Sequence, residues 1–208
     1  MANKFFKGSY RIVNCESQQE LDRAFTSGLV GLYQEVFAES PYEEYFSDHD
    51  VRSTFQAYFG DQIRDKIILF IYLENELIAF LTVVPSCSKL FDFEVVNNSD
   101  KTSHTFSANY LHKTFGLIPN NTWYLDELGV LKHHRRQGLA RELLKTCLDK
   151  LENANMFLIT QENNFQAQKL YRSLNFVVVD EQYIIISQER QDRLVREDRR
   201  IIMIKKVV

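Results

Sequence analysis

Three arginines crowd one glycine in the middle of the chain. Arg135, Arg136 and Arg141 flank Gly138, and no acidic residue interrupts the stretch between Glu127 and Glu142. Cationic side chains around a glycine fit an anion, and a polyphosphate is the simplest such ligand. The flanking sequence supports this. Residues 123–130 are rich in strand-forming types, and Leu139, Leu143, Leu144, Cys147, Leu148 and Leu151 then recur at helical spacing. The period changes from about 2 to about 3.6 residues across 131–137, so residues 122–141 read as a strand, a turn and a helix. The first N–H groups of a helix have no intrahelical partner and lie at the positive end of its dipole, which makes the junction an anion site. Gly138 lets the backbone come close to a ligand.

The spacing Arg135-x-x-Gly138-x-Ala140, five residues after Val130, resembles the acetyl-CoA signature of the GNAT superfamily of N-acetyltransferases. Ala140 stands where many members have a third small residue, usually Gly, and Lys132 where Pro is common; neither change blocks the turn. A second motif follows in the family's order. Asn164-x-x-Ala167-x-x-Leu170-Tyr171, ending in Leu174-Asn175-Phe176, is similar to the other half of that core. The family usually has Gly before this Phe, and Asn is one of the few other residues that tolerate φ > 0 at a helix C-terminus. The resemblance covers about residues 67–176. It implies an α/β fold whose mixed, mostly antiparallel sheet is flanked by helices and splayed between its fourth and fifth strands, with an elaborated segment before the central strand. It also implies acetyl-CoA as co-substrate, no metal, and direct acetyl transfer to a primary amine in a ternary complex.

Carried onto this sequence, the resemblance assigns Leu128, Gly129 and Val130 to main-chain pairing with pantetheine. Arg135, Arg136, Gln137, Gly138, Leu139, Ala140 and Arg141 form the turn whose backbone N–H groups hold the pyrophosphate. Asn164 contacts the cofactor, with a simple helix N-cap as the alternative. Tyr171 contacts it too and is the expected general acid, because the departing thiolate needs a proton that a nearby phenol can give; the alternative is a core tyrosine. An N–H near Gly129 or Val130 would polarise the thioester carbonyl, and Gly129 suits close approach within a strand.

An attacking amine must lose a proton, so a carboxylate is expected near the end of the strand. Asp126 and Glu127 are adjacent, and strand neighbours point to opposite faces, so at most one aims directly into a given cleft. Family strands turn the positions of Tyr124, Asp126 and Leu128 toward the acceptor, which makes Asp126 first choice and Glu127 second. Tyr124-Leu125-Asp126-Glu127 also resembles the Tyr-Leu-acid-acid strand of polyamine acetyltransferases. Glu39, Glu43, Glu44, Asp48 and Asp50, with Tyr42, Tyr45 and Phe46, fall in the connection that borders the acceptor cleft in this fold. An acidic, aromatic rim suits a cationic small-molecule amine such as a polyamine or aminoglycoside-like compound. A protein or peptide amine, and a CoA-binding module without turnover, stay open as alternatives.

At 208 residues the chain has room for a single well-buried domain spanning 1–208. The net charge of −3 gives no general affinity for nucleic acid. Cys15, Cys87 and Cys147 lack disulfide or zinc spacing, and His133 and His134 have no further ligand at metal spacing. No apolar run is long enough for a signal peptide or a spanning helix, so a cytoplasmic location without a membrane partner is expected. Monomer and homodimer are both open.

The remaining elements follow from periodicity. The sequence predicts a strand at 10–14, one helix from 19 to about 37 ended by Pro41, and a helix from Asp48 or Asp50, either of which can cap it. Strands follow at 66–72 and 77–84, joined by a hairpin turn. Residues 86–121 suggest a strand or helix at 90–96, a turn at 97–102 and a weak helix through Phe106, Tyr110, Leu111 and Phe115, together forming a lid or contact surface. After the central helix come a strand at 155–160, a helix at 164–174, and strands at 176–179, 183–187 and 201–204. The charged run QERQDRLVREDRR reads as a solvated hairpin loop.

Overall fold

Strands β2 (Ile67–Leu73) and β3 (Glu76–Pro85) are almost continuously apolar because both faces are covered. Ile68, Phe70, Tyr72 and Phe80 enter one core cluster, while Ile67, Leu69, Ile71 and Leu81 enter the other. This is a computed structural model, and it describes residues 10–61, 63–88, 91 and 93–207. Among the described residues nine strands form one sheet in the order β1-β2-β3-β6-β7-β9-β8-β4-β5. The others are β1 (Tyr10–Asn14), β4 (Glu94–Asn97), β5 (Ser103–Thr105), β6 (Thr122–Val130), β7 (Asn155–Gln161), β8 (Val177–Glu189) and β9 (Val195–Lys205). Helix α5 (Leu139–Lys150) covers one face with Leu139, Leu143, Leu144 and Cys147, and α6 (Phe165–Arg172) adds Tyr171 to the same cluster. Helices α1 (Gln18–Thr26), α2 (Leu29–Ala38) and α3 (Asp48–Ala57) cover the other face, and α4 (Ala108–Phe115) adds Leu111 there.

Strands β6 and β7 make the parallel pairing, and it is short. Their register runs from Thr122 opposite Asn155 to Leu125 opposite Leu158 and then stops, although β6 continues to Val130 and β7 to Gln161. The sheet therefore opens where the sequence resemblance implies a splay.

Several sequence expectations need correction. The single helix at 19–37 is two, because Gly28 adopts φ 102 between α1 and α2, a left-handed conformation that interrupts the helical path at little cost only for glycine. Neither Asp48 nor Asp50 caps α3. Ser47 does, accepting from the Asp50 N–H at 3.2 Å while the Asp50 carboxylate accepts from the Ser47 N–H at 2.8 Å.

The described residues of 86–121 build into the body of the fold. Val95 pairs with Ile184 in β8, and Phe106, Leu111 and Leu117 are buried. Phe91 packs edge-on against Tyr124, with ring centres 5.3 Å apart. Leu90, where the expected element began, lies outside the described residues.

The charged run is mostly strand. Only a tight turn separates β8 from β9, and Asp198 and Arg200, two residues apart, point inward from β9.

Candidate active site

After Val130 the chain passes through a short 3-10 turn at Lys132–His134, then Arg136 at φ 60 and Gly138 at φ 90, and enters α5. Gly138 stands at the N-cap and supplies no side-chain cap. The first N–H groups of α5 therefore remain available to an anion. The turn is braced from α2. The Glu35 carboxylate accepts from the Lys132 N–H at 3.1 Å, and Glu39 pairs with the Lys132 ammonium at 2.8 Å and with the Arg135 guanidinium. Arg135 Nε donates to the Val130 carbonyl at 2.9 Å. Arg135 thus ties the end of β6 to α2, a structural task the sequence reading missed. The Lys132 and Arg135 cations hold the Glu39 carboxyl below its ordinary range. Arg141 donates to Ser173 Oγ at 2.6 Å.

A cleft of about 710 Å³ opens where β6 and β7 part. Leu128, Gly129 and Val130 line it from β6; Arg135, Arg136, Gly138, Leu139, Ala140 and Arg141 from the turn and α5; and Asn164 and Tyr171 from α6. Gln137 is not among its lining residues, because its amide folds back to donate to the His133 carbonyl at 3.3 Å. Positively charged turn residues, uncapped helix N–H groups and a strand edge freed from pairing fit a long ligand with a phosphate-bearing end, as acetyl-CoA is.

Asn164 both caps α6 and faces the cleft. Its Oδ1 accepts from the Ala167 N–H at 3.2 Å, which leaves Nδ2 to donate to Tyr42 Oη at 3.2 Å. Tyr42 lines the cleft as well; the sequence suggested it only as one aromatic of a rim. Tyr171 is buried, and burial, reinforced by Tyr42 and by the charge of Glu127, raises its phenol well above the usual value. The hydroxyl therefore keeps its proton at working pH and is a donor.

Gly129 has a packing reason. A Cβ there would lie 2.4 Å from a ring carbon of Phe80, itself fully buried. The close approach is by that ring, not one that a ligand alone requires.

The strict alternation expected around Asp126 fails. Thr82 pairs with Glu127 and Val83 with Leu125, so Asp126 is the extra residue of a β-bulge. The bulge turns both carboxylates to one face. Tyr58 Oη donates to Asp126 at 2.8 Å and Tyr33 Oη donates to Glu127 at 3.0 Å, and both phenols belong to the α1–α3 face. Leu128, expected beside Tyr124 and Asp126, packs on the opposite face with Leu125.

The acidic rim is also largely consumed. Glu44 is buried and paired with Arg200; Glu39 is bound as above; Asp50 serves the α3 cap; and Asp48 accepts from Gln34 Nε2 at 3.0 Å. Burial raises the Glu44 carboxyl despite the attraction of Arg200 and Arg190. These pairs join the α2–α3 loop to the β8–β9 hairpin. Tyr45 N–H donates to the Glu189 carbonyl at 2.8 Å, Gln191 N–H to the Glu43 carbonyl at 3.0 Å, and Arg190 to the Tyr42 carbonyl. Glu44→Gln is therefore expected to act on stability and not on acceptor affinity. It removes the nearer of two carboxylates paired with Arg200, Asp198 remaining at 3.6 Å, and should cost about 2 kcal/mol, read as a lowered denaturation midpoint.

Residues 29–176 match the family model described as "Acetyltransferase (GNAT) family". Among solved structures the chain is similar to the ribosomal-protein-S18-alanine N-acetyltransferase from Escherichia coli, with TM-score 0.57 and 19% identity over 96% of each chain. It is similar to the ribosomal-protein-alanine N-acetyltransferase from Brucella melitensis, with TM-score 0.60 and 14% identity over 95% of this chain and 99% of that one. A third is yncA from Salmonella typhimurium, solved with its cofactor acetyl-CoA, with TM-score 0.59 and 14% identity over 97% of this chain and 95% of that one. At these identities the likeness shows a shared fold. None of the curated protein sequences matches the chain.

Proposed function

The chain belongs to the GNAT family of acetyltransferases and is an acyl-CoA-dependent N-acetyltransferase; from that premise we propose that it transfers acetyl from acetyl-CoA directly to the primary amine of a small cationic acceptor. The observation that carries this reading is the β-bulge, which brings two carboxylates to one aromatic face immediately before the cleft-lining Leu128, although neither carboxylate is among the lining residues. Acetyl-CoA supplies the activated acyl group as a thioester. With the strand parity that favoured Asp126 removed by the bulge, Glu127 is assigned to take the proton of the amine and Asp126 to hold the ammonium form as it enters. Tyr171 gives its phenolic proton to the departing sulfur. The N–H groups at the start of α5 and in the preceding turn hold the pyrophosphate, and an N–H near Gly129 or Val130 donates to the thioester carbonyl. Asn164, held by its cap bond, and Tyr42 complete the wall on the α6 side.

Two features favour a small acceptor over a peptide. The α2–α3 loop is stitched to the β8–β9 hairpin, and the Phe91 ring packs edge-on against Tyr124. With Glu39, Glu44, Asp48 and Asp50 committed elsewhere, Asp126 and Glu127 are the carboxylates assigned to select the cation. A protein or peptide amine is the competing acceptor, and two of the similar structures are named as ribosomal-protein-alanine N-acetyltransferases. A competition assay with a polyamine, a neutral monoamine and an Ala-terminated peptide is expected to rank them in that order. The polyamine's advantage should shrink as salt screens the charges. A peptide that wins at both salt concentrations would replace this acceptor class.

A further inference from the structure

Asp126 and Glu127 sit side by side on the bulge, yet each is held by its own buried phenol on its own helix. Tyr33 comes from α2 and is 2% exposed; Tyr58 closes α3 and is 3% exposed. Their settings differ. Tyr58 Oη accepts from Thr82 Oγ1 at 3.0 Å and donates to Asp126 Oδ2 at 2.8 Å. A hydroxyl that already accepts on one side has its proton aimed at the other, so Thr82, Tyr58 and Asp126 form a directed chain. Thr82 is also the β3 residue paired with Glu127 at the bulge, so the distortion and the chain are one unit.

Tyr33 donates to Glu127 Oε1 at 3.0 Å, and packing fixes its ring. Phe80 stacks on it at 5.7 Å, and Phe37, Phe46 and Phe55 surround it at 4.5 to 5.9 Å. Burial raises both phenols well above their usual value, and the neighbouring carboxylates raise them further. They therefore remain neutral donors, which orient a carboxylate without cancelling its charge. An arginine in the same place would orient it too, but would oppose uptake of an ammonium.

We infer that Tyr33 and Tyr58 are positioning residues that give the two carboxylates separate tasks. Tyr33 holds Glu127 in place as acceptor of the amine proton, and the Thr82–Tyr58 chain holds Asp126 as the seat for the incoming ammonium. The inference rests on the acetyl-transfer reading above.

Steady-state kinetics of the full chain, with acetyl-CoA and the best amine of the competition assay, test it through Tyr33→Phe, Tyr58→Phe and Thr82→Val. A lost hydrogen bond to a charged group is expected to change the affected constant about tenfold. Tyr33→Phe should lower kcat and leave the amine KM within about twofold; Tyr58→Phe should raise the amine KM and leave kcat within about twofold. Thr82→Val should move KM in the same direction as Tyr58→Phe by a smaller factor, and it carries the test alone if Tyr58→Phe does not fold. A shared effect of all three on the same constant, or no effect, overturns the division of tasks while the acetyl-transfer reading stands. A wild type that acetylates no amine overturns that reading, and this inference with it.

Discussion

Tyr171→Phe is expected to lower kcat by about 10²-fold or more while leaving acetyl-CoA affinity nearly unchanged. The substitution removes one oxygen and keeps the ring, which packs against Phe176 at 5.9 Å between centres, so the cleft wall survives. On the proposed mechanism, what is lost is the proton for the departing sulfur. Burial holds the phenol well above its ordinary value, so the wild-type rate should show no falling limb from Tyr171 at moderately alkaline pH. Single-turnover measurements isolate the chemical step from product release. A mutant with wild-type single-turnover rate would assign Tyr171 to packing alone.

Gly138→Glu is expected to abolish acetyl-CoA binding, measured by calorimetry on folded protein. Two effects combine. The residue sits at φ 90, where any side chain is strained, and a carboxylate there opposes the pyrophosphate electrostatically. Gly138→Ala separates them, since it keeps the strain, a cost of about 1–3 kcal/mol, and adds no charge. Binding by the Ala variant should be weakened and by the Glu variant lost. Equal, undiminished affinity in both would remove the phosphate from this turn.

Much of the fold was legible because its signals are local. The apolar run of β2 and β3, the change of period at Gly138 and the spacing of Asn164, Ala167, Leu170 and Tyr171 all report on neighbours close in sequence. Asn175 does as well: the structure gives it φ 67, the conformation expected of the residue standing in for glycine. What stayed hidden depends on partners far along the chain. The bulge at Asp126 lies between the Thr82–Glu127 and Val83–Leu125 pairs and reverses the face of Leu128, and strand parity offers no warning of an extra residue. Glu44 looks like any loop carboxylate until Arg200 reaches it from β9, 156 positions away. Arg135 reads as a phosphate ligand, yet its bonds go to Val130 and Glu39. The split between α1 and α2 was a local signal passed over, a glycine within a helical pattern, and the Ser47 cap of α3 was another.

The central step proposed is the passage of acetyl straight from thioester to amine. Intact-protein mass spectrometry, run alongside an assay for released thiol, tests that claim in a single experiment. With acetyl-CoA alone, the protein mass should stay unchanged and thiol release should be negligible. On addition of the primary amine, thiol and acetylated amine should appear one for one, with the protein still unmodified. Thiol release that ignores the amine, or a protein that gains an acetyl group and passes it on, would contradict direct transfer.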